Sequence, residues 1–237
     1  MEKLKIYNAF GITPTNNCLS AGMDFYIPNI DRDNKEMVDA AFEAFEKTYK
    51  ANSNVINVLV MYFAQMVEKE NLEREFVNIC QLYLALDSAT LNEEEDLYGR
   101  VKRFVKEYLV FDKAGRPGIL MKCNDSLLIN SGIKVALAPG TAGVFLNKSG
   151  KGNCGFDVRA QVVDEDYTGY VHLSVSYSKE NPLNGQNAIY AGDKLIQMLV
   201  LDVHHVEPTE VSKDEYDEIM KNSERGDTAF GNSDIKH

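Results

Sequence analysis

The spacing of apolar residues changes twice along this 237-residue chain, and these changes limit the folds it can adopt. From Met1 to about Ile27, short extended pieces are separated by glycine, proline and asparagine turns, a pattern typical of β-strands. Between about residues 38 and 110 the apolar positions follow the helical period instead. Beyond Gly118 alternation returns, with new Gly, Pro and Asn turns. The pattern predicts a β domain interrupted by a helical insertion.

Four helices account for the middle of the chain. We predict them at about residues 38–49, 54–70, 72–86 and 93–110. The second is apolar on more than one face, which predicts a position between two layers. The charges of these helices alternate as on a solvated face, so nothing in them is typical of catalysis. The predicted division is a β domain at 1–29 and 118–204, the insertion at 30–117, and a C-terminal arm at 205–237 with a short helix near 212–221.

Charge and composition exclude several classes of partner. The chain carries 25 Lys and Arg against 36 Asp and Glu, a net charge of −11, which repels nucleic acid and anionic membranes. No apolar run reaches the length of a membrane span, which needs about 18 residues. The four cysteines lack the spacing of a zinc site or a disulfide framework. We therefore expect a soluble, cytoplasmic protein that binds neither nucleic acid nor membranes.

Five polar segments stand at the ends of apolar runs or in glycine-rich loops. In chain order they are Ala21–Asp24, Asn147–Gly150, Val163–Tyr167, Gly192–Gln197, and Arg225–Gly226 with Phe230–Ser233. Together they offer carboxylates for a metal and a water, donors for phosphates, and an aromatic ring for a base. Their order resembles the motif series of the trimeric dUTPases. The resemblance implies a mainly β protein with a jelly-roll-like dUTPase β domain, an inserted all-α subdomain, and assembly as a homotrimer.

The resemblance also implies an activity, the hydrolysis of dUTP to dUMP and pyrophosphate with Mg²⁺ as the cofactor. Carried over to this chain, Asp164 is the carboxylate that activates the attacking water. Tyr167 is the ring beneath the deoxyribose, where it leaves no room for a 2′-hydroxyl. Asp24 helps to organise the metal, through a water.

Further positions are expected to bind the substrate. By resemblance these are Lys148, Ser149, Gly150, Tyr167, Gln197, Arg225, Phe230, Gly231 and Ser233. Several positions depart from the family pattern, which has arginine or glycine where this chain has Lys148, Gln161, Thr168, Thr228 and Ala229, and serine in place of Asn232. Lysine keeps the positive charge of arginine but lacks its planar fork.

Alternatives remain open. The dCTP deaminases share the fold but place a catalytic glutamate in a strand where this chain has His172–Val175. An enzyme that hydrolyses both dCTP and dUTP would carry the same motifs, because main-chain groups read the base. The helical insertion could bind a protein partner in a regulatory role, or could only thicken the trimer. Its position suggests a viral or mobile-element version, and all four histidines are expected to be structural or solvated.

Overall fold

The computed structural model describes residues 4–16, 20–66, 75–86, 95–182 and 185–223. The chain divides into two compact units, Met1–Val203 and His204–His237. The first unit contains many short strands and most of the helices, so the predicted fold class, mainly β with an all-α insertion, is confirmed.

The strands of the first unit are short, as expected from the close spacing of turn residues. Their bounds are β1 Lys5–Asn8, β2 Met23–Tyr26, β3 Leu109–Phe111, β4 Pro117–Leu120, β5 Ser126–Asn130, β6 Ile133–Ala136, β7 Thr141–Asn147, β8 Phe156–Val158, β9 Val162–Val163, β10 His172–Tyr177, β11 Ala188–Tyr190 and β12 Lys194–Asp202. Among the described residues they form sheets in the orders β2-β12-β7-β9, β5-β10-β8, β11-β4-β3 and β1-β6. All pairings between these strands are antiparallel.

The insertion contributes four described helices, α1 Lys35–Tyr49, α2 Ser53–Met66, α3 Phe76–Ala85 and α4 Leu97–Glu107. Three of them begin at side-chain caps, and Asn52 caps α2 by accepting a hydrogen bond from Val55 N at 3.0 Å. The Asn34 side chain accepts a hydrogen bond from Met37 N at 3.1 Å, and the Asp96 side chain accepts one from Gly99 N at 2.7 Å. The helices pack into the same core as the strands. At the contact between the two, the ring centroids of the buried Phe10 and Phe45 are 6.2 Å apart.

The helix that lies between layers is α3, and not the second helix as the sequence predicted. Nine of the ten α3 residues are buried, and the helix packs against α1, α2, β4 and β5. In α2 the buried residues are Ile56, Leu59 and Phe63, a single stripe. The prediction was wrong because some apolar side chains of α2 are not buried in a second layer. Met61, for example, is half-exposed.

The fourth helix ends at Glu107, a few residues before its predicted end at about residue 110. After Glu107 the chain enters β3, which pairs with β4 through the turn that contains Gly115. The hairpin belongs to the sheet β11-β4-β3. The last residues of the predicted insertion are therefore part of a sheet. Leu109 and Val110, the first two residues of β3, continue the apparent helical stripe, which explains why the sequence placed them in the fourth helix.

Two more helices lie in the C-terminal half. A short helix, α5 Ser149–Cys154, occupies the glycine-rich segment that the sequence predicted to be a loop. In the second unit the predicted short helix is confirmed as α6 Lys213–Met220, capped by Ser212, whose side chain accepts a hydrogen bond from Glu215 N at 3.2 Å. In the described part of the chain, no helix combines the length and hydrophobicity needed to cross a membrane.

Candidate active site

Three neighbouring strands bring the first, second and fourth polar segments together. In the register of the β2-β12-β7 sheet, Asp24 pairs with Gln197, and Gln197 pairs with Leu146. Lys148 follows β7 directly, and its ammonium group contacts the Asp24 carboxylate. Gln197 Nε2 donates to the carbonyl oxygen of Asn147 at 3.1 Å, which ties β12 to the end of β7.

A second lysine reaches the same carboxylate. Lys194 Nζ lies 2.9 Å from Asp24 Oδ2. We call Asp24, Lys148, Lys194 and Gln197 the phosphate-loop cluster. Sequence reasoning did not select Lys194 as a site residue.

A β-bulge in β12 explains why Lys194 faces Asp24. The register shifts between Lys194 and Ile196, so Lys194 lies opposite Tyr26, where a regular strand would place Leu195. Since side chains two residues apart share one face of a strand, Lys194 then shares the face of Asp24. Leu195 and Ile196 both remain buried. The adjacent apolar pair before Gln197 was the signal in the sequence for an irregular strand.

The Asp24 carboxylate is held in its charged form. Partial burial opposes ionisation, but the hydrogen bonds and charges of Lys148 and Lys194 outweigh it and hold the pKa of Asp24 below its ordinary value. The Asp24 side chain is 15% exposed, so solvent screens these contacts less than it screens a surface pair. The cluster is therefore a preformed arrangement of one carboxylate between two ammonium groups.

The ion pairs predict a pH-dependent effect of Asp24→Asn on stability. A carboxyl group with a lowered folded-state pKa stabilises the fold above its unfolded-state pKa, and this contribution is lost as the pH falls through the folded-state pKa. Wild type should therefore have the larger free energy of unfolding at neutral pH. The difference should begin to narrow near pH 4, about the ordinary value for aspartate, and vanish in stronger acid. Urea unfolding across this pH range measures it.

Asp39→Asn is the matched control, because Asp39 pairs with Lys35 on a helix surface and its side chain is 60% exposed. It should change the free energy of unfolding little at any pH. A difference between wild type and Asp24→Asn that grows as the pH falls would contradict the assigned ion pairs.

Asp193, in the turn before β12 and next to Lys194 in the chain, pairs with two basic side chains from other elements. Its carboxylate accepts from Arg116 Nη1 and from Lys151 Nζ, each at 3.2 Å. Arg116 also donates to Asp112 Oδ2 at 2.7 Å and to Ala191 O at 2.9 Å. These contacts join the β3–β4 hairpin, the turn of the fourth segment and helix α5.

The third polar segment forms a separate pocket. A cavity of about 180 Å³ is lined by Phe145, Ala160, Val162, Val163, Asp164, Tyr167, Val171 and His172, and we call it the nucleoside pocket. The Asp164 side chain is exposed and, in the part of the chain that the structure describes, makes no hydrogen bond or ion pair. An unpaired, solvated carboxylate at the edge of a small cavity is free to accept a hydrogen bond from a water.

Tyr167 is held in a folded-back position. Its hydroxyl donates to the carbonyl oxygen of Tyr170 at 2.8 Å, and its ring lies across Gly169. A Cβ atom added to Gly169 would stand 2.6 Å from Cζ of the ring, which is closer than such atoms approach. Glycine is therefore required at this position for the observed ring placement.

One copy of the chain does not bring the nucleoside pocket to the phosphate-loop cluster. Val163 pairs with Gly143 near the start of β7, and Asp164 continues away from Lys148, which follows the other end of β7. In this register Asp164 lies opposite Ala142, and the six residue steps from Ala142 to Lys148 span roughly 20 Å of strand. The two groups of predicted residues lie at opposite ends of the same strand.

Comparisons with known proteins identify the family. The family profile described as dUTPase matches residues 113–234, which is about half of the chain and includes four of the five polar segments. The chain belongs to the dUTPase family. The family prediction from the order of the polar segments is therefore confirmed.

Relatives of this dUTPase family member include retroviral proteins. It is 26% identical over 160 residues to the Pol polyprotein of Equine infectious anemia virus (isolate 1369), covering 66% of this chain and 13% of the polyprotein. The match to the Wyoming strain is 26% identical over 155 residues, again 13% of the polyprotein. The chain thus spans a small part of the curated relatives it matches.

The chain is similar to solved structures of phage dUTPases, and one of them supports the same fold. A Staphylococcus bacteriophage 80alpha dUTPase with dUpNHpp has a TM-score of 0.50 at 11% identity, covering 98% of this chain and 99% of that one. A dUTPase from phage phi11 of S. aureus has a TM-score of 0.44 at 10% identity, covering 90% of this chain and 99% of that one. The match to the 80alpha structure extends over the helical region as well as the β domain.

Of the other predicted site residues of this dUTPase family member, two are described by the structure. Ser149 and Gly150 open helix α5 and are exposed. The residues of the fifth segment, Arg225, Phe230, Gly231 and Ser233, fall outside the described residues.

The phosphate-loop cluster fits a magnesium ion that arrives with a nucleotide. Among the described residues, no group of three or more His, Cys, Asp and Glu side chains could enclose a metal ion. Mg²⁺ is commonly held by one or two carboxylates, several waters and the phosphates of a substrate. Asp24 can supply such a carboxylate, directly or through a water, with Lys148 and Lys194 beside it for the phosphates.

Proposed function

We propose that this protein is a dUTP diphosphatase that hydrolyses dUTP to dUMP and pyrophosphate. The observation that carries the proposal is the dUTPase family match, which spans the second to the fifth polar segments. The dUTPase of phage 80alpha, whose fold this chain shares, was solved with dUpNHpp. The separate nucleoside pocket and phosphate-loop cluster supply the two kinds of contact that a nucleoside triphosphate needs.

The proposed chemistry is attack by water on the α-phosphorus. Asp164 accepts a hydrogen bond from the water and orients it for in-line attack. Tyr167 packs against the deoxyribose, where its flat ring excludes a 2′-hydroxyl. Most of the rate enhancement then comes from positioning and charge neutralisation, as is usual for transfer at phosphorus.

The phosphates are bound at the phosphate-loop cluster, where Lys148 follows the end of β7. Lys148 and Gln197 contact phosphate oxygens, and Ser149 with the backbone around Gly150 donates further hydrogen bonds. Mg²⁺, when bound, neutralises the phosphate charge and is organised by Asp24. From the C-terminal arm, Arg225 reaches the γ-phosphate side, Phe230 stacks on the base, and Gly231 and Ser233 add phosphate donors.

The site is assembled from several copies of the chain, which we propose form a homotrimer. A water activated by Asp164 must stand about 3 Å from the phosphorus it attacks. Within one chain Asp164 and Lys148 lie at opposite ends of β7, so the nucleoside pocket of one copy must meet the phosphate-loop cluster of another. This separation is the structural argument for a shared site.

The proposed division of the chain keeps the β domain at 1–29 and 118–204, the insertion at 30–117 and the arm at 205–237. In it, β3 is the strand by which the insertion returns to the sheet. A protein partner that binds the insertion fits this division, as does a purely structural insertion. We place the enzyme in the cytoplasm.

A substrate panel tests the function. Pyrophosphate release is measured with Mg²⁺ and each of the five common deoxynucleoside triphosphates, and dUTP should be strongly preferred. Equal turnover of dCTP would instead identify an enzyme for both pyrimidines. Release of ammonia from dCTP would identify a deaminase, although β10 places no carboxylate at His172–Val175. No pyrophosphate release from any of the five would contradict the proposal.

Gly169→Ala should weaken the rejection of UTP. The added Cβ displaces the Tyr167 ring, which is partly exposed and free to move outward. The preference for dUTP over UTP in kcat/KM should fall by about 10- to 100-fold, the range in which a pocket rejects an added hydroxyl. Tyr167→Phe keeps the ring and should retain more of the preference than Gly169→Ala. Unchanged rejection of UTP by Gly169→Ala would show that the ring does not cover the sugar.

A further inference from the structure

The helical insertion reaches the nucleoside pocket through one side chain. Thr48, near the C-terminal end of α1, lies with its Oγ1 3.2 Å from Nε2 of His172. His172 is the first residue of β10 and lines the pocket beside Asp164 and Tyr167. The insertion therefore touches a residue of the pocket wall and is not confined to the far side of the β domain.

The contact belongs to a series of polar contacts that leads from Asn130 towards Tyr167. Asn130, which is fully buried and pairs with His172 across β5 and β10, donates from Nδ2 to Thr48 Oγ1 at 2.9 Å. The backbone of Tyr170 acts to raise the pKa of His172, which indicates that a ring N–H faces this backbone. The Tyr170 carbonyl is the acceptor of the Tyr167 hydroxyl.

The directions of these bonds agree with one another. Because Thr48 Oγ1 already accepts from Asn130, its own hydroxyl hydrogen is available to donate to His172 Nε2. The Nδ1–H of a neutral His172 can then donate to the Tyr170 carbonyl. Burial lowers the pKa of His172, against the opposing effect of the Tyr170 backbone bond, so the ring is neutral at neutral pH. The order Asn130, Thr48, His172, Tyr170 gives each donor one acceptor.

We propose that Thr48 is a positioning residue for the nucleoside, because through His172 and the Tyr170 carbonyl it fixes the Tyr167 ring that covers the deoxyribose. This inference rests on the proposed function for the identity of the nucleoside. It gives the insertion a defined role in substrate selection that its sequence does not indicate. Since the chain of bonds ends on the sugar side of the pocket, its loss should change sugar selection and KM more than kcat.

A neighbouring residue provides the matched control. Tyr49 also anchors α1 to β5: its hydroxyl donates to Leu128 O at 2.9 Å and accepts from Asn130 N at 3.2 Å. These contacts reach the same strand from the same helix end, and they involve the backbone of Asn130 but neither its side-chain bond to Thr48 nor the His172 ring. Tyr49→Phe therefore loosens the insertion without breaking the bond to His172.

The experiment compares steady-state kinetics with dUTP and UTP for wild type, Thr48→Val, Thr48→Ser and Tyr49→Phe. Thr48→Val should raise the KM for dUTP and lower the dUTP preference by about 2- to 10-fold each, the factor that one hydrogen bond supplies. The kcat for dUTP should change less. Thr48→Ser keeps the hydroxyl and should restore both values, and Tyr49→Phe should leave both near wild type.

Equal effects of Thr48→Val and Tyr49→Phe would overturn the proposal, since a general loosening of the insertion would then explain them. An unchanged KM and preference in Thr48→Val would overturn it too, as would failure of Thr48→Ser to restore them.

The tautomer of His172 gives a readout that needs no turnover. Histidine ¹⁵N chemical shifts of the wild-type chain should show a neutral His172 ring with its proton on Nδ1. A proton on Nε2, or a charged ring at neutral pH, would overturn the chain of hydrogen bonds even if no variant folds. A wild type that does not turn over dUTP contradicts the proposed function instead, and the tautomer still decides whether the bonds to Thr48 and Tyr170 exist.

Discussion

Replacing Asp164 by asparagine should lower the kcat for dUTP by at least about 100-fold, the lower end of the contribution of general acid–base catalysis. Asparagine keeps the size of the side chain but cannot take up the proton of the attacking water. Since Asp164 is exposed and unpaired among the described residues, its replacement should leave the fold intact. Binding of a non-hydrolysable dUTP analogue, measured by calorimetry, should be largely retained.

Asp166→Asn is the control for Asp164→Asn. Asp166 lies in the same turn, is also exposed, and carries the same charge. Its replacement changes the local charge equally but removes no proposed catalytic group, so kcat should stay within a few-fold of wild type. If the two variants lose equal activity, a general charge effect is responsible and Asp164 is not the base.

A chain that ends at Ser223 should also lose at least about 100-fold in kcat, the effect of removing one charge-stabilising donor in the active site of an enzyme. The truncation removes Arg225 and Phe230 together with the phosphate donors at Gly231 and Ser233. The core of the first unit lies before Val203, so the melting temperature and the oligomeric state should be unchanged.

A chain that ends at Ser233 is the matched control for this truncation. It removes only Asp234 to His237 and keeps each proposed residue of the fifth segment. Its turnover should equal that of wild type. Normal turnover by the chain that ends at Ser223 would show that the fifth segment is not part of the active site.

Much of the fold could be predicted because periodicity and turn chemistry are local properties. The four helices of the insertion and the short α6 lie where the apolar stripes and caps place them. Helix α5 was missed because its glycines are typical of a loop, and no apolar stripe marks six residues with no buried side chain. The central place of α3 was missed because burial depends on the layers that other parts of the chain provide.

The site shows a similar division. The five polar segments could be found because their order along the chain is itself a signal. The partners of Asp24 could not be found in this way, since Lys194 reaches it only through a bulge that shifts the register of β12. The contact of Thr48 with His172 joins residues 124 positions apart, and no local pattern encodes it.

The central claim is that each active site combines the nucleoside pocket of one copy with the phosphate-loop cluster of another. Mixing two inactive variants, Asp164→Asn and Lys148→Gln, tests it most directly. In trimers assembled from an equal mixture, about one quarter of the sites would contain an intact Asp164 and an intact Lys148 from different copies. Turnover should therefore recover to about that fraction of wild type. If each site were built within a single chain, every site would keep one defect, and the absence of recovery in mixed trimers would contradict the shared site.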